Sequence, residues 1–291
     1  VRKQIAVLTN PTSGKGKGSR ITDQVTPRLR DAGYDVTELV GRDGDEALDL
    51  ARKAVADDLE TLVVVGGDGM VHLAVQALAG SDTRLGLVPA GTGNDVARNL
   101  DLPRKDPAAA TDVIIGGRER QIDLARIGHR YYVTVLAAGF DAIVNERANE
   151  MSWPKGQMRY NLATLAELRT FTPIPYVLEV DGVQHRFDAM MVAVSNGPSF
   201  GGGMQITKGA LMDDGLLDVI AIDPMSKLDL IRTFPKLRTG SHIGHPKVHH
   251  FSGRTVTVAA PGIVAYADGE RIAALPLTVE VVPGALRVLV P

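Results

Sequence analysis

The chain has 291 residues, 44% of them hydrophobic and 23% charged, a balance that excludes a disordered or fibrous protein. A formal net charge of -2 excludes a global pull toward nucleic acid, so no nucleic-acid partner is expected and any membrane contact must come from a local patch. With no cysteine there are neither disulfides nor thiolate metal sites, and no run reaches the ~18 apolar residues of a membrane span.

The first apolar run, Ile5 to Leu8, stops at Thr9-Asn10-Pro11 without a small-residue cleavage site. It reads as a strand and not as a signal peptide, and a cytoplasmic protein is expected. Further apolar runs follow at Val36 to Val40, Leu62 to Val65 and Leu85 to Val88, with helical segments near Arg20 to Ala32, Asp45 to Ala56, Met70 to Ala79 and Asp95 to Leu100. Short apolar runs that end in polar or glycine-rich turns and lead into amphipathic helices predict a parallel α/β domain. After about Gln121 the period changes to two, which predicts a second, mainly antiparallel β domain, interrupted by helices near Gly156 to Thr170 and Ser226 to Leu237. Asp181-Gly182 and Pro283-Gly284 each separate two strand-like runs and predict hairpins, the second between Leu277 to Val282 and Ala285 to Val290. The change of period and the Gly116-Gly117 turn set the division at residues 1–122 and 123–284.

Three strand-to-helix turns are rich in Gly, Asn, Ser and Thr: Asn10 to Gly18, Gly66 to Gly69, and Ala90 to Asn94. In a parallel sheet such turns share the carboxyl edge, and each opens a helix whose first N–H groups lack partners, so together they predict a polyphosphate site. Gly14-Lys15-Gly16-Lys17-Gly18-Ser19 lacks the P-loop spacing, and no dinucleotide fingerprint follows a strand. Asp68, a carboxylate among phosphate-binding amides, calls for a divalent cation between it and the ligand. A second reading makes it the N-cap of the helix beginning near Met70.

These residues resemble the bacterial diacylglycerol kinase family, which is similar to sphingosine kinases and shares its core loop with NAD kinases and phosphofructokinases. The motifs run in the family's order over nearly the whole chain: Asn10-Pro11-Thr12-Ser13-Gly14-Lys15, Gly44-Asp45-Glu46-Ala47, Gly66-Gly67-Asp68-Gly69, Pro89-Ala90-Gly91-Thr92-Gly93-Asn94-Asp95, Ile122-Asp123-Leu124, Ala138-Gly139-Phe140-Asp141-Ala142, Gly201-Gly202-Gly203-Met204, Asp213-Asp214-Gly215-Leu216-Leu217-Asp218 and Asp268-Gly269-Glu270. The resemblance implies transfer of the ATP γ-phosphoryl group to a lipid hydroxyl, in a cleft between a phosphofructokinase/NAD-kinase-like α/β domain and a β-sandwich domain. It implies that the tail, about residues 285–291, returns to the first domain. Nucleotide contacts are expected from Asn10, Pro11, Thr12, Ser13, Gly14, Gly66, Gly67, Asp68, Gly69, Gly91, Thr92, Gly93 and Asn94, with Mg²⁺ held with help from Asp68 and Asp123. For the base the resemblance points to Asp268-Gly269-Glu270, with Asp268 preferred and Glu270 second, although Asp-Gly is also an ordinary hairpin turn. The acidic turn Leu211 to Asp218 suits a hard cation, and by resemblance Asp214 supplies a side chain and Leu211 and Leu216 supply carbonyls to a structural metal; a solvated acidic turn is the other reading.

Met70 and Leu73 stand where the family usually has Thr and Glu, and Val40 where it often has Thr. Leu73 reads as a packing residue on the apolar face with Met70, Ala74 and Ala77. Between Ser226 and Arg254 the basic residues Lys227, Arg232, Lys236, Arg238, Lys247 and Arg254 face one acid, Asp229, while Leu228, Ile231, Phe234 and Leu237 could line one helical face. This fits transient contact with anionic lipid at the inner face of a membrane, or a helix packed on its own domain. His242, His245, His249 and His250 have no nearby carboxylate pattern in sequence to complete a metal site. The rival functions are an NAD kinase-like enzyme and a nucleotide-binding regulator with impaired catalysis. A homodimer stays open.

Overall fold

The computed structural model describes residues 3–11, 16–140, 143, 144, 147, 151, 153, 172–226, 229 and 232–291. In β1 (Gln4–Thr9) Ile5 and Val7 face one side of the sheet and Ala6 and Leu8 the other, and all four are buried, so the strand needs cover on both faces. It pairs in parallel with β2 (Asp35–Val40) on one side and β3 (Thr61–Gly66) on the other, and β3 pairs with β4 (Arg84–Pro89), giving the order β2-β1-β3-β4. The helices are α1 (Lys17–Asp31), α2 (Gly44–Ala56), α3 (Asp68–Leu78), α4 (Asp95–Asn99) and α5 (Pro107–Gly116). Val25 and Leu29 of α1 and Ala110 and Ile114 of α5 pack on Ile5 and Val7. Ala47 and Ala51 of α2 and Val71, Ala74 and Leu78 of α3 pack on Ala6 and Leu8. The strand order reverses between β1 and β3, and the loops leaving them diverge there to form the crevice in which such sheets bind ligands.

Helix α5 went unread because its alanine-rich run has no apolar stripe. Its ends carry ordinary signals: Asp106 accepts hydrogen bonds from the N–H groups of Ala108 and Ala109, Pro107 opens the helix, and Gly117 ends it with a positive φ.

The remaining strands are β5 (Glu119–Ile127), β6 (Arg130–Tyr132), β7 (Val135–Gly139), β8 (Ile174–Val180), β9 (Val183–Ala189), β10 (Met191–Ser195), β11 (Leu217–Ile222), β12 (Val248–Gly253), β13 (Thr255–Ala259), β14 (Val264–Ala267), β15 (Glu270–Ala274) and β16 (Leu277–Leu289). One antiparallel sheet runs β12-β11-β10-β7-β14-β15, and the other continues the first domain's sheet through β16 into β13, β8 and β9. Leu136, Val192 and Val219 from the first pack against Tyr176, Leu178, Val256 and Val279 from the second. Asp181-Gly182 forms the expected two-residue hairpin, with φ values of 48° and 84° that suit a primed turn.

Pro283-Gly284 does not. Leu277 to Leu289 is one strand carrying a bulge, since β16 advances from Val282 to Leu286 while its partner β5 moves only from Leu124 to Ile122. The bulge is held by Asp123, whose Oδ1 accepts from the Gly284 N–H at 2.8 Å. Beyond it the strand returns to the first domain, where Val288 pairs in parallel with Leu85 of β4. Strands β5 and β16 thus run through both halves of the molecule, and the expected boundary at 122/123 falls inside β5.

The helix expected near Gly156 to Thr170 lies outside the described residues, as do Lys227, Leu228 and Ile231. Of the second expected helix, residues 229, 232 and 233 are helical and Phe234–Arg238 is a 3-10 turn opened by Pro235. No helix among the described residues is long and apolar enough to cross a membrane.

Candidate active site

Two loops at the carboxyl edge meet backbone to backbone. Ala90 donates to the Gly66 carbonyl at 2.8 Å, and a Cβ on Gly91 would lie 2.5 Å from the Gly67 Cα, so side chains are excluded where the loops cross. Gly66 is fixed for a similar reason, because its Cβ would fall 2.6 Å from that of Met70. Asn94, at φ 50°, closes the second loop with a reciprocal pair: its Oδ1 accepts from the Gly91 N–H and its Nδ2 donates to the Gly91 carbonyl, both at 3.0 Å.

This crossing brings two carboxylates together. Asp68 opens α3, and its Oδ1 accepts from the Val96 N–H at 3.1 Å, so it caps α4 and not its own helix. Asp95 Oδ2 accepts from the Gly202 N–H at 2.7 Å, which draws the Gly201-Gly202-Gly203 loop of the second domain over the site. Gly93 sits between them, since a Cβ there would be 2.9 Å from Asp68 Oδ2 and 3.4 Å from Asp95 Oδ2. Burial, opposed by the Val96 N–H and reinforced by the charges of Asp95 and Asp268, pushes the Asp68 pKa up to about 6. Asp95 Oδ1 is buried with no hydrogen bond, only an ionic contact with Arg98 Nε at 3.5 Å. In the sequence Asp95 is only the last residue of a loop motif, and its place directly after Asn94 at a helix start is the available signal.

Of the first phosphate loop, Thr12, Ser13 and Gly14 lie outside the described residues. Asn10 is half-buried and Pro11 exposed at the end of β1.

The second domain contributes the turn between β14 and β15, where Asp268 and Gly269 have φ values of 51° and 89°. Asp268, the first candidate base, is enclosed. The Asp268 side chain is 1% exposed and its oxygens take hydrogen bonds from Val133 N, Thr134 N and Thr134 Oγ1, with His72 Nδ1 at 3.2 Å. Burial alone would raise its pKa; the bonds from His72, Thr134 and Val133 outweigh it and hold the pKa below the ordinary value. These bonds fix the carboxylate in place at the turn. Glu270, two residues on, is exposed, and its Oε1 is 3.5 Å from where a Cβ on Gly69 would lie. The two candidates thus differ in burial, Asp268 enclosed by donors and Glu270 open to the site. His72 was missed because a single histidine in a helix carries no pattern; its four-residue spacing from both Asp68 and Gln76 was the only hint.

Asp123 is held by backbone donors from two segments. It is 3% exposed, with Oδ1 on Gly284 N and Oδ2 on Gly215 N at 2.7 Å, so it ties the β16 bulge to the 211–218 turn, whereas the charges felt at Asp68 are those of Asp95 and Asp268. Removing it strands two N–H groups at ~1–3 kcal/mol each. Asp123→Ala is accordingly expected to cost about 3 kcal/mol or more in unfolding experiments; a loss below ~1 kcal/mol would show that the bulge does not depend on it.

In the acidic turn Asp214 Oδ1 accepts from Leu216 N at 3.0 Å and Leu211 is 55% exposed. Burial raises the Asp214 pKa against the Leu216 N–H bond, with the charges of Asp218 and Asp123 adding to it.

Comparisons with known proteins match this arrangement. Residues 4–127 match the model described as the diacylglycerol kinase catalytic domain, and residues 134–290 match the YegS C-terminal NAD kinase beta sandwich-like domain. A diacylglycerol kinase of Mycobacterium tuberculosis is 42% identical over 294 residues, covering 99% of this chain and 95% of its own. The chain belongs to the diacylglycerol kinase family. It is a kinase. A crystal structure titled as a diacylglycerol kinase from Bacillus anthracis superposes with a TM-score of 0.76 at 19% identity, covering 100% of this chain and 97% of that one. The structure of an NAD kinase from Archaeoglobus fulgidus in complex with ATP gives 0.54 at 14% identity, covering 98% and 93%, which relates the folds.

Within this diacylglycerol kinase family, two of the three departures are packing residues in the structure. Met70 is 7% exposed and covers Gly66, while Leu73 joins the core beside α2, with its Cδ1 3.6 Å from where a Cβ on Gly44 would lie. Val40, the third, is 47% exposed at the end of β2.

The family implies ATP, and phosphoryl transfer from ATP typically uses Mg²⁺. Among the described residues no group of three or more His, Cys, Asp and Glu forms a ready-made metal cluster. Asp68 and Asp95 nevertheless fit a hard divalent cation that takes its other ligands from phosphate and water: their like charges meet around Gly93, and Asp95 Oδ1 has no donor. Two of the four histidines do meet carboxylates, across strands and not along the sequence: His249 Nε2 is 2.8 Å from Asp223 and His250 Nε2 is 2.6 Å from Asp218.

Proposed function

We propose that the protein is an ATP-dependent lipid kinase that moves the γ-phosphoryl group to a lipid hydroxyl, with diacylglycerol as acceptor and phosphatidic acid as product. The observation that carries this reading is the approach of Glu270, from the second domain, to Gly69 in the phosphate loop of the first. An acceptor-side carboxylate stands there beside a residue with no side chain, which leaves room for an entering hydroxyl.

Residues 1–122 and 285–291 form the nucleotide unit and 123–284 the lipid unit. The loop Asn10 to Gly14 and the N–H groups of Gly66 to Gly69 and Thr92 to Asn94, with the start of α3, receive the phosphates of ATP, while Gly91 holds the third loop closed through Asn94. Asp68 and Asp95 would hold Mg²⁺, which would neutralise charge on the phosphoryl group being transferred. Glu270 takes the proton of the acceptor hydroxyl as its oxygen bonds to the γ-phosphorus. The bond from that phosphorus to the bridging oxygen breaks, and ADP leaves with the electron pair. Asp268 fixes the turn on which Glu270 stands. A second, structural cation is assigned to the side chain of Asp214 and the carbonyls of Leu211 and Leu216, where the charges of Asp214, Asp218 and Asp123 accumulate. Arg232, Lys236, Arg238, Lys247 and Arg254 are exposed and supply a basic face for an anionic bilayer during transient docking at the inner membrane surface.

Incubation with γ-labelled ATP, Mg²⁺ and a panel of lipid alcohols tests the reading, with labelled phosphatidic acid expected in the organic phase. Label on NAD alone would make it an NAD kinase, and binding of ATP without transfer a regulator. Glu270→Gln is expected to lower turnover ~10²- to 10⁴-fold with ATP binding kept; turnover within about threefold of wild type would remove Glu270 from the proton transfer.

A further inference from the structure

Helix α3 carries three polar side chains at a spacing of four, Asp68, His72 and Gln76, which line one stripe along it. Each reaches off the helix. Asp68 bonds the start of α4. Gln76 forms a reciprocal pair with the Tyr131 backbone, its Nε2 donating to the carbonyl at 2.8 Å and its Oε1 accepting from the N–H at 3.0 Å. The same Nε2 also donates to the His72 carbonyl at 2.8 Å. His72 Nδ1 meets Asp268 Oδ2 at 3.2 Å, with the imidazole 13% exposed. His72 and Gln76 therefore form a polar seam along which the helix bearing Asp68 docks on the domain bearing Glu270.

Within that seam the His72 contact has a particular reach. An ionised Asp268 only accepts, so its bond to the ring requires the hydrogen on Nδ1. Val133 and Thr134 tie Asp268 to its own domain; among the described residues His72 is the side chain of α3 that bonds the turn. The turn has two residues, both with positive φ, and Glu270 follows immediately, so fixing Asp268 fixes the base of the Glu270 side chain. Groups from two domains must meet one γ-phosphorus, and misplacement by ~1 Å costs roughly 10²-fold in rate.

We propose that His72 is a positioning residue for the transfer: by bonding Asp268 it locks the β14–β15 turn to helix α3 and holds Glu270 over Gly69. The proposal rests on the kinase reading above and adds to it the group that aligns its two halves.

The experiment compares His72→Ala with His72→Asn, whose side-chain N–H can donate from near the place of Nδ1. His72→Ala is expected to lower kcat ~10- to 100-fold with the KM for ATP within about twofold of wild type, and His72→Asn to recover kcat to within about threefold. Unchanged kcat in His72→Ala overturns the proposal. So does His72→Asn as impaired as His72→Ala, which would make the ring itself a proton carrier. A thermal cycle with Asp268→Asn reads the contact without activity: sub-additive losses of Tm are expected for the pair, and additive losses overturn it. If Asp268→Asn does not fold, the Tm values of the two His72 variants replace the cycle, with His72→Asn expected above His72→Ala and equal values counting against the bond. Absence of lipid phosphorylation by wild type would defeat the kinase reading while the thermal comparison still decides the contact.

Discussion

Asp68→Asn is expected to abolish phosphoryl transfer and, in the same protein freed of metal, to raise its stability. The folded pKa of Asp68 is about 6 against an ordinary 3.8, with burial as the first cause and the charges of Asp95 and Asp268 adding to it. Between those two values the folded protein keeps a proton that the unfolded chain has released, so stability falls as pH rises through that window and the penalty is complete above it. At 1.36 kcal/mol per unit the difference is worth on the order of 2–3 kcal/mol. An asparagine still accepts from Val96 N–H through its carbonyl oxygen but carries no charge. In chelator at pH 8 the variant should therefore melt several degrees above wild type, since ~1 kcal/mol moves Tm by roughly 2–4 °C in a chain of this size. At pH 4.5 the gap should shrink, because wild-type Asp68 is then mostly protonated. A gap of equal size at both pH values would show that charge is not its cause. Transfer should fall by ~10³-fold or more, since the variant loses one of the two carboxylates proposed to hold Mg²⁺. A site that destabilises its own fold until its ligand arrives is one under selection for function.

The parts of this molecule legible in the sequence were those set by local rules. β1 to β4 announced themselves because strands buried on both faces read as unbroken apolar runs, and Asp181-Gly182 announced a hairpin because few residues take positive φ cheaply. Pro283-Gly284 misled for the same reason. Turn residues mark a place where the chain departs from a regular strand, but whether it reverses or bulges depends on the strand opposite, here β5 with Asp123 waiting for the Gly284 N–H. The glycine loops and Asp68 were recognisable, while Asp95 and His72 were not, because their roles come from partners 107 and 196 residues away, Gly202 and Asp268. Asp268 and Glu270 are the sharpest instance. Two carboxylates two residues apart look alike in sequence, and only burial separates the one bound to four donors from the one left exposed beside Gly69.

The crossing of the two phosphate loops leads to the other large effect, in Gly91→Ala. Gly91 needs no unusual backbone angle; what forbids a side chain is the 2.5 Å between its Cβ position and the Gly67 Cα, with Asn94 Oδ1 at 2.8 Å. The neighbour is main chain, so no rotamer change relieves the contact, and the loops must part by about 1 Å to reach van der Waals distance. That parting pulls on the Asn94–Gly91 pair that closes the second loop and on the Asp68–Val96 bond that holds the two carboxylates at one point. Gly91→Ala is thus expected to cost ~2–4 kcal/mol of stability and at least ~10²-fold in turnover, with the loss in kcat exceeding any rise in the KM for ATP. Gly116, the last residue of α5 with nothing within 4 Å of its Cβ position, supplies the comparison, since alanine there should leave turnover unchanged and add at most ~0.5 kcal/mol through helix propensity. Near-normal turnover in Gly91→Ala would mean that the loops tolerate separation, and that the close pairing of Asp68 with Asp95 around Gly93 is not what the chemistry requires.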